Sequence, residues 1–206
     1  MIRKNLLIAG LLSLPLFMYA QKGTVKIDVK GGFALPEKEK LDMNATGYVL
    51  GVNFKYYLNN RFYTLVKGSG SRMDADKKVG DFFIPANDSW PADATVSRNM
   101  TDIMLGLGLG YDILHKNKHT LYFQGAFGIG TQQENEEVWS DEDDNRDNGY
   151  SIYERNSYRC ADWALTGDLG YTYSLTDMIG IGASYSADYI AWGFSQSFNL
   201  NFQLTF

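Results

Sequence analysis

The sequence is poor in cysteine, in histidine and in long apolar runs. Cys160 is the only cysteine, so a small fold held together by intrachain disulfides is excluded. Beyond Ala20 no apolar run approaches the roughly 20 residues that a membrane-spanning helix needs. The longest apolar-rich stretch, Ile103 to Tyr111, lies between two aspartates. The formal net charge of −5 disfavours nucleic acid as a partner.

The N-terminal segment has the composition of a secretory signal peptide. A basic pair precedes an apolar run from Leu6 to Met18, and Ala20 provides a small residue at a cleavage site. We therefore expect residues 1–20 to be a signal peptide and residues 21–206 to form the barrel described below. A membrane anchor is the alternative, but the run is short and contains Pro15.

Apolar and polar residues alternate in eight segments of the remaining chain, as they do in strands with one apolar and one polar face. The alternation predicts strands at about Thr24–Leu35, Thr46–Leu58, Arg61–Arg72, Asn99–Ile113, His119–Thr131, Ala161–Ser174, Met178–Ile190 and Phe198–Phe206. Short and long links alternate between these strands, except for a short last link. Short turns at one end and long loops at the other are typical of outer-membrane barrels. We predict an all-β fold: an eight-stranded antiparallel up-and-down transmembrane β-barrel.

The composition of the two faces indicates which one meets lipid. The apolar face carries aromatic residues near the strand ends, including Tyr111 and Trp163, and such girdles are typical of lipid-facing surfaces. The polar face is rich in glycine, for example Gly106 and Gly110. Glycine weakens a solvent-facing strand but makes room inside a narrow barrel. A secreted barrel with an apolar interior is the alternative.

The last predicted strand carries the most specific resemblance. From Phe198 to Phe206 every second residue is apolar, and the segment ends in an aromatic residue. It resembles the closing strand of the small eight-stranded outer-membrane barrels, the OmpA/OmpX-like group of the Gram-negative cell envelope. The resemblance implies a monomer in the cell outer membrane, in contact with lipopolysaccharide and other outer-membrane lipid. It also implies recognition by the barrel-insertion machinery through Phe206.

The same resemblance implies a structural or surface-interaction role, as an envelope scaffold or an adhesion-type protein whose extracellular loops bind an extracellular ligand. An outer-membrane lipid-modifying enzyme and a narrow, porin-like channel are the alternatives. We expect no enzyme, because His115 and His119, the only two histidines, fall at a predicted periplasmic turn. A catalytic histidine must be held against its nucleophile, and outer-leaflet chemistry occurs at the other end of the barrel.

The inward-facing charges are predicted to pair at three heights in the barrel. Eight strands leave just enough room for side chains, and buried charges are normally paired. We expect charged layers near the periplasmic end, at mid-height and near the outer end. Their members are Lys26, Asp28, Lys55 and Asp112; then Lys30, Lys67 and Asp168; then Asp102, Asp162 and Asp188, with Arg98 close by.

One predicted extracellular segment is strongly acidic. Between Glu134 and Glu154 the sequence has nine carboxylates and one arginine, and the simplest interpretation is a solvated loop. Asp143, Asn145, Asp147 and Glu154 also have the spacing of the oxygen ligands in an EF-hand loop. The pattern departs from that motif because its glycine falls one position late. We therefore expect no cofactor other than a candidate Ca²⁺ site at these four residues.

Overall fold

Eight antiparallel strands form a closed barrel in the computed structural model of the chain. The structure describes residues 23–36, 46–78, 95–140, 151–190 and 193–206. The strands are β1 (Val25–Pro36), β2 (Thr46–Tyr57), β3 (Phe62–Lys78), β4 (Thr95–Lys116), β5 (His119–Ser140), β6 (Ser151–Ser174), β7 (Ile179–Ile190) and β8 (Gly193–Thr205). Each strand pairs with the next one, and β1 pairs with β8. The predicted fold is therefore confirmed.

Nothing in the described part of the chain is a helix long and apolar enough to cross a membrane. The predicted signal peptide, residues 1–20, lies outside the described residues and stays a prediction.

The two ends of the barrel differ in the length of their connections. Short connections join β2 to β3, β4 to β5 and β6 to β7 at one end, where Val25 and Phe206 exchange backbone hydrogen bonds. Asn117 enters the tight β4–β5 turn with a φ of 55°, a left-handed conformation that asparagine tolerates well. In outer-membrane barrels the short turns face the periplasm. We therefore call this end periplasmic and the opposite end extracellular.

The outer wall of the barrel is apolar and the interior is polar. Leu107 and Leu200 are 69% and 75% exposed on the outside, whereas Lys67 and Ser186 are fully buried inside. This distribution is the reverse of that in a soluble barrel, and it suits a wall that lies in lipid. The predicted assignment of the apolar face to the outside is confirmed.

Glycines on the inner face make room for tyrosine rings that cross the narrow lumen. A Cβ atom at Gly110 would lie 2.2 Å from the ring of Tyr63, and one at Gly170 would lie 2.3 Å from the ring of Tyr122. Both rings are buried. Each of these glycines therefore lies where any larger residue would displace an interior aromatic side chain.

Three strands are much longer than the membrane requires. A tilted spanning strand needs roughly 10 residues, yet β4, β5 and β6 have 22, 22 and 24 residues. β7 and β8 have only 12 and 13. Residues 134–140 and 151–154, expected in a solvated loop, instead belong to β5 and β6, where residues 134–140 pair with residues 151–158. Residues 132–137 of β5 are all polar, so the apolar period that reveals a strand is missing there.

A network of ion pairs occupies the middle of the lumen, as predicted. The ammonium nitrogen of Lys67 lies 2.8 Å from a carboxylate oxygen of Asp168 and 3.3 Å from one of Asp188. Lys30 lies 3.4 Å from Asp168 and donates a hydrogen bond to Ser186 at 3.2 Å. Asp188 was expected in the outer layer, but its carboxylate reaches the mid-height lysine. The four charged groups balance one another where water is scarce.

The predicted periplasmic layer forms in part, and its fourth member, Lys26, lies over the ring of Tyr57 at 4.7 Å from the centroid. Lys55 lies 2.5 Å from Asp28, which accepts a further hydrogen bond from Gln203 at 2.7 Å. The hydroxyl of Tyr57 donates to Asp112 at 3.0 Å. These contacts join β1, β2, β4 and β8 across the lumen, so each charge is stabilised by a strand other than its own.

The outer layer differs from the prediction. Asp102 accepts a hydrogen bond from Gln132 at 3.2 Å, and Arg98 pairs with Glu136 on β5 rather than with the three aspartates. On β4, Met100 lies between Arg98 and Asp102, and it belongs to a buried apolar cluster of the upper barrel. The cluster consists of Ala34, Val49, Met73 and Met100.

We predict that Lys67→Met strongly destabilises the barrel, because it leaves two buried carboxylates with one lysine between them. Removing one partner of a buried ion pair costs about 3–5 kcal/mol of the free energy of unfolding. The measurement is the urea concentration at the midpoint of unfolding in lipid vesicles. The folded fraction is read from the faster gel mobility of the unheated barrel. Lys118→Met, at an exposed turn, is the control and should change stability by less than about 0.5 kcal/mol. Equal midpoints for the two variants would contradict the prediction.

Candidate functional site

The upper parts of β3 to β6 form a sheet that stands above the barrel wall. We call this the extracellular sheet and define it as residues 71–78, 95–102, 132–140 and 151–162. The outward side chains change character at its base. Gly70, Ile103, Thr131 and Ala161 form one row across the four strands, and the next row up is Arg72, Thr101, Gln133 and Arg159. This change from apolar to polar marks the outer border of the lipid-facing belt.

Ion pairs link neighbouring strands of the extracellular sheet. Arg98 on β4 contacts Glu136 on β5, and Arg155 on β6 lies 2.8 Å from Glu137 on β5. Cross-strand pairs of this kind stabilise a sheet by a few tenths of a kcal/mol up to about 1 kcal/mol each. The acidic residues of β5 are thus held in a strand by basic neighbours.

Amide and hydroxyl side chains continue the same cross-strand pattern. Asn135 donates to Asn99 at 2.8 Å and accepts from the hydroxyl of Ser157 at 2.7 Å. A chain of hydrogen bonds therefore crosses from β4 to β6 on the outward side. The extracellular sheet is an ordered polar surface in this region rather than a loop.

The upper part of β6 is a free sheet edge. β6 pairs with β7 only from Ala164 to Ser174, so no described strand lies beside it above Ala164. The backbone N–H of Ser174 donates to Lys118 next to β5. Since hydrogen-bonding direction alternates along an antiparallel strand, the even-numbered residues of β6 bond to β5. The odd-numbered residues face the β7 side, which is empty of described strands here.

At the base of the free edge, the backbone N–H of Trp163 donates to the side chain of Asp162 at 2.7 Å. Higher up, Arg155, Ser157, Arg159 and Ala161 direct their backbone groups away from the sheet. These four residues define what we call the β6 edge, a row of backbone donors and acceptors beside which no described strand lies.

The candidate calcium ligands are only partly described. Asp143, Asn145 and Asp147 lie outside the described residues, whereas the backbone of Glu154 lies in β6 opposite Val138. Within the described ranges, no group of three or more His, Cys, Asp or Glu side chains could hold a metal ion. The Ca²⁺ site therefore stays a prediction.

The two histidines lie at the periplasmic end, as predicted. The same nitrogen of His115, Nδ1, is 3.2 Å from the hydroxyl of Thr120 and 3.7 Å from Asp112. A Ser-His-Asp arrangement uses both ring nitrogens, one for the nucleophile and one for the carboxylate. His119 Nδ1 lies 2.6 Å from the hydroxyl of Tyr171 on the outer wall. Neither arrangement matches that of a catalytic triad.

Sequence reasoning missed the β6 edge, although one signal pointed to it. The link between β7 and β8 is short, unlike the other links at the extracellular end. A short link there means that β7 ends low, beside a strand that continues upward. The edge follows from this difference in strand length and not from any residue type.

The comparisons with known proteins concern the fold. No protein-family model matches the sequence, and no curated protein matches it. Among solved structures, the chain is similar to Ail, the attachment invasion locus protein of Yersinia pestis, in complex with the heparin analogue sucrose octasulfate. The identity is 16% and the TM-score 0.50, over 90% of this chain and 100% of that one.

Two further solved structures have lower TM-scores. Neisserial surface protein A is 14% identical, with a TM-score of 0.49 over 89% of this chain and 97% of that one. The outer membrane protease OmpT from Escherichia coli is 10% identical, with a TM-score of 0.43 over 91% and 98%. Identities this low show the fold alone. The fold is that of outer-membrane barrels, in agreement with the predicted OmpA/OmpX-like group and outer-membrane location.

We predict that replacing both histidines by alanine, His115→Ala with His119→Ala, leaves the acylation of lipid A and the assembly of the barrel unchanged. Neither imidazole is placed to activate a nucleophile at the outer leaflet. Mass spectrometry of lipid A and the heat-dependent gel shift provide the two measurements. A change in lipid A acylation that is lost in the double variant would revive the enzyme interpretation.

The calcium prediction can be tested on intact cells. If Asp143 and Asp147 bind Ca²⁺, calcium should slow proteolysis between Glu134 and Glu154 in the natural protein, because bound metal neutralises and orders the segment. Asp143→Ala with Asp147→Ala should abolish the protection. Asp144→Ala, from the same acidic run but outside the ligand spacing, should keep it. Proteolysis that is insensitive to calcium in all variants would exclude the site.

Proposed function

We propose that this outer-membrane barrel is a surface-interaction protein, and that the β6 edge is where it binds an extended polypeptide segment of an extracellular partner. The observation that carries the proposal is the row of backbone groups above Ala164 that no described strand pairs with, on the side where β7 has ended. An exposed edge is a template for another strand. Adding a strand satisfies those groups, and main-chain hydrogen bonds then provide much of the affinity.

The surroundings of the β6 edge suit a peptide strand. Its free backbone groups recur at every second residue, a spacing of about 6.6 Å in an extended chain. Outward side chains beside the edge are Arg155, Ser157 and Arg159, all exposed. On the other face Tyr158 is 68% exposed. A bound strand would therefore meet basic and hydroxyl groups on one side and an aromatic ring on the other.

The packed lumen supports a binding role over the channel alternative. Lys67, Tyr63 and Met73 are fully buried at successive levels of the interior, and the apolar cluster around Met73 and Met100 lies above the ion pairs. Water-filled pores leave their lining side chains hydrated. The interior of this barrel is better suited to holding the wall rigid beneath the extracellular sheet.

Binding by the β6 edge can be tested by removing one backbone donor. Ser157→Pro deletes the N–H that faces the empty side and leaves the β5 ladder intact, because proline is tolerated on edge strands. Bacteria without other adhesins would express each variant and be assayed for adherence to epithelial cells and to immobilised extracellular-matrix proteins. We expect the natural protein to raise adherence and Ser157→Pro to lower it at least fivefold, roughly the loss of one net hydrogen bond.

Ser157→Ala is the matched control, because it removes the hydroxyl that donates to Asn135 but keeps the backbone N–H. It should adhere like the natural protein. Both variants must show the heat-dependent gel shift of a folded barrel. If expression raises adherence and Ser157→Pro has no effect, the β6 edge is not the binding site. If expression never raises adherence, the proposed function is wrong for these partners.

A further inference from the structure

A notch interrupts the lipid-facing belt at its outer border. Thr131 on β5 and Ala161 on β6 are paired neighbours with small side chains, and larger side chains surround them. The notch has a volume of about 510 Å³ and is lined chiefly by Ile103, Leu105 and Ile129 and by Trp163. Its walls are mostly apolar, with Asp162 also among the lining residues, and it opens toward the membrane. A space of this kind suits a hydrocarbon chain.

Trp163 forms a rigid wall of the notch. Its ring stacks on Tyr189 with 5.1 Å between centroids and on Phe127 with 6.4 Å. Tryptophan and tyrosine prefer the level of the lipid headgroups. The aromatic stack therefore places the notch at the boundary between acyl chains and headgroups of the outer leaflet.

A row of hydrogen-bond donors lies directly above the notch. Thr101, Gln133 and Arg159 stand in register across β4, β5 and β6, two residues nearer the extracellular end of each strand. They provide a hydroxyl, an amide and a guanidinium group on the same outward face. A headgroup that accepts hydrogen bonds and carries negative charge would complement this row.

Arg159 differs from the other arginines of the extracellular sheet. Arg72, Arg98 and Arg155 each form an ion pair with a carboxylate. Arg159 is exposed and forms no such pair with any described residue. It is also the arginine nearest the notch, two residues above Ala161. Its charge is free for an anion that arrives from the membrane.

We propose that the notch and the donor row above it form a binding site for a phosphorylated lipid of the outer leaflet. One acyl chain occupies the space beside Thr131 and Ala161, and the phosphate accepts hydrogen bonds from Arg159 and Gln133. Arginine suits this role because its planar guanidinium matches phosphate oxygens. The site shares Arg159 and Ala161 with the β6 edge, but it uses their outward side chains and not the backbone groups that a bound strand would pair with.

The test uses dodecyl phosphate as the probe and the full barrel folded in dodecyl maltoside micelles. The backbone amide signals of Thr131 and Gln133 are followed by NMR during the titration. We expect saturable shifts in the natural protein and an approximately tenfold weaker affinity for Arg159→Gln, the loss expected for a charge-assisted hydrogen bond. Ala161→Phe, which fills the notch, should abolish saturation while the barrel keeps its heat-dependent gel shift.

Arg155→Gln is the matched control, since Arg155 lies on the same strand and face but is already paired with Glu137. Its affinity should stay within twofold of the natural protein. Three results would each overturn the proposal. They are the absence of saturation in the natural protein, equal weakening by Arg155→Gln and Arg159→Gln, and saturation by inorganic phosphate alone at the same concentrations.

Discussion

The structure depends on one constraint: within lipid, each backbone N–H and C=O group must find its partner inside the protein. An open sheet leaves two edges that lipid cannot satisfy, so the sheet must close. Closure here joins β1 to β8 from Lys26 to Pro36. A closed sheet of eight strands is narrow, and that narrowness explains the interior. Gly110 and Gly170 yield space to tyrosine rings, and Lys67 is buried because two carboxylates surround it.

Above the membrane the constraint no longer applies, because water can satisfy a free backbone group. β6 therefore continues beyond β7, and its edge can stay open. The same border changes the outward side chains from the Ile103 row to the Arg159 row. Both proposed interactions arise at this border. The β6 edge offers backbone groups to a strand in the solvent, and the notch beside Ala161 offers side chains to a lipid in the membrane.

Two features of the described residues weigh against the alternatives to a binding role. A channel needs hydrated lining groups, whereas the charged side chains at mid-height form ion pairs with one another and apolar side chains lie above them. An enzyme of the triad type needs a histidine between a nucleophile and a carboxylate. His115 presents one nitrogen to both Thr120 and Asp112, at the end of the barrel away from the outer leaflet.

The sequence by itself determined the barrel, its inward and outward faces and the placement of Lys30, Lys67 and Asp168 in one interior layer, because period-two alternation is a local property of the chain. It also placed both histidines at the periplasmic end. Only the tertiary structure decided which strands continue beyond the membrane, since polar residues that alternate with polar residues leave no period to read. The register between distant strands decides which groups Arg98 and Asp188 contact. It also decides which residues stand in one row with Arg159. Register is set by closure of the whole sheet, and no local pattern encodes it.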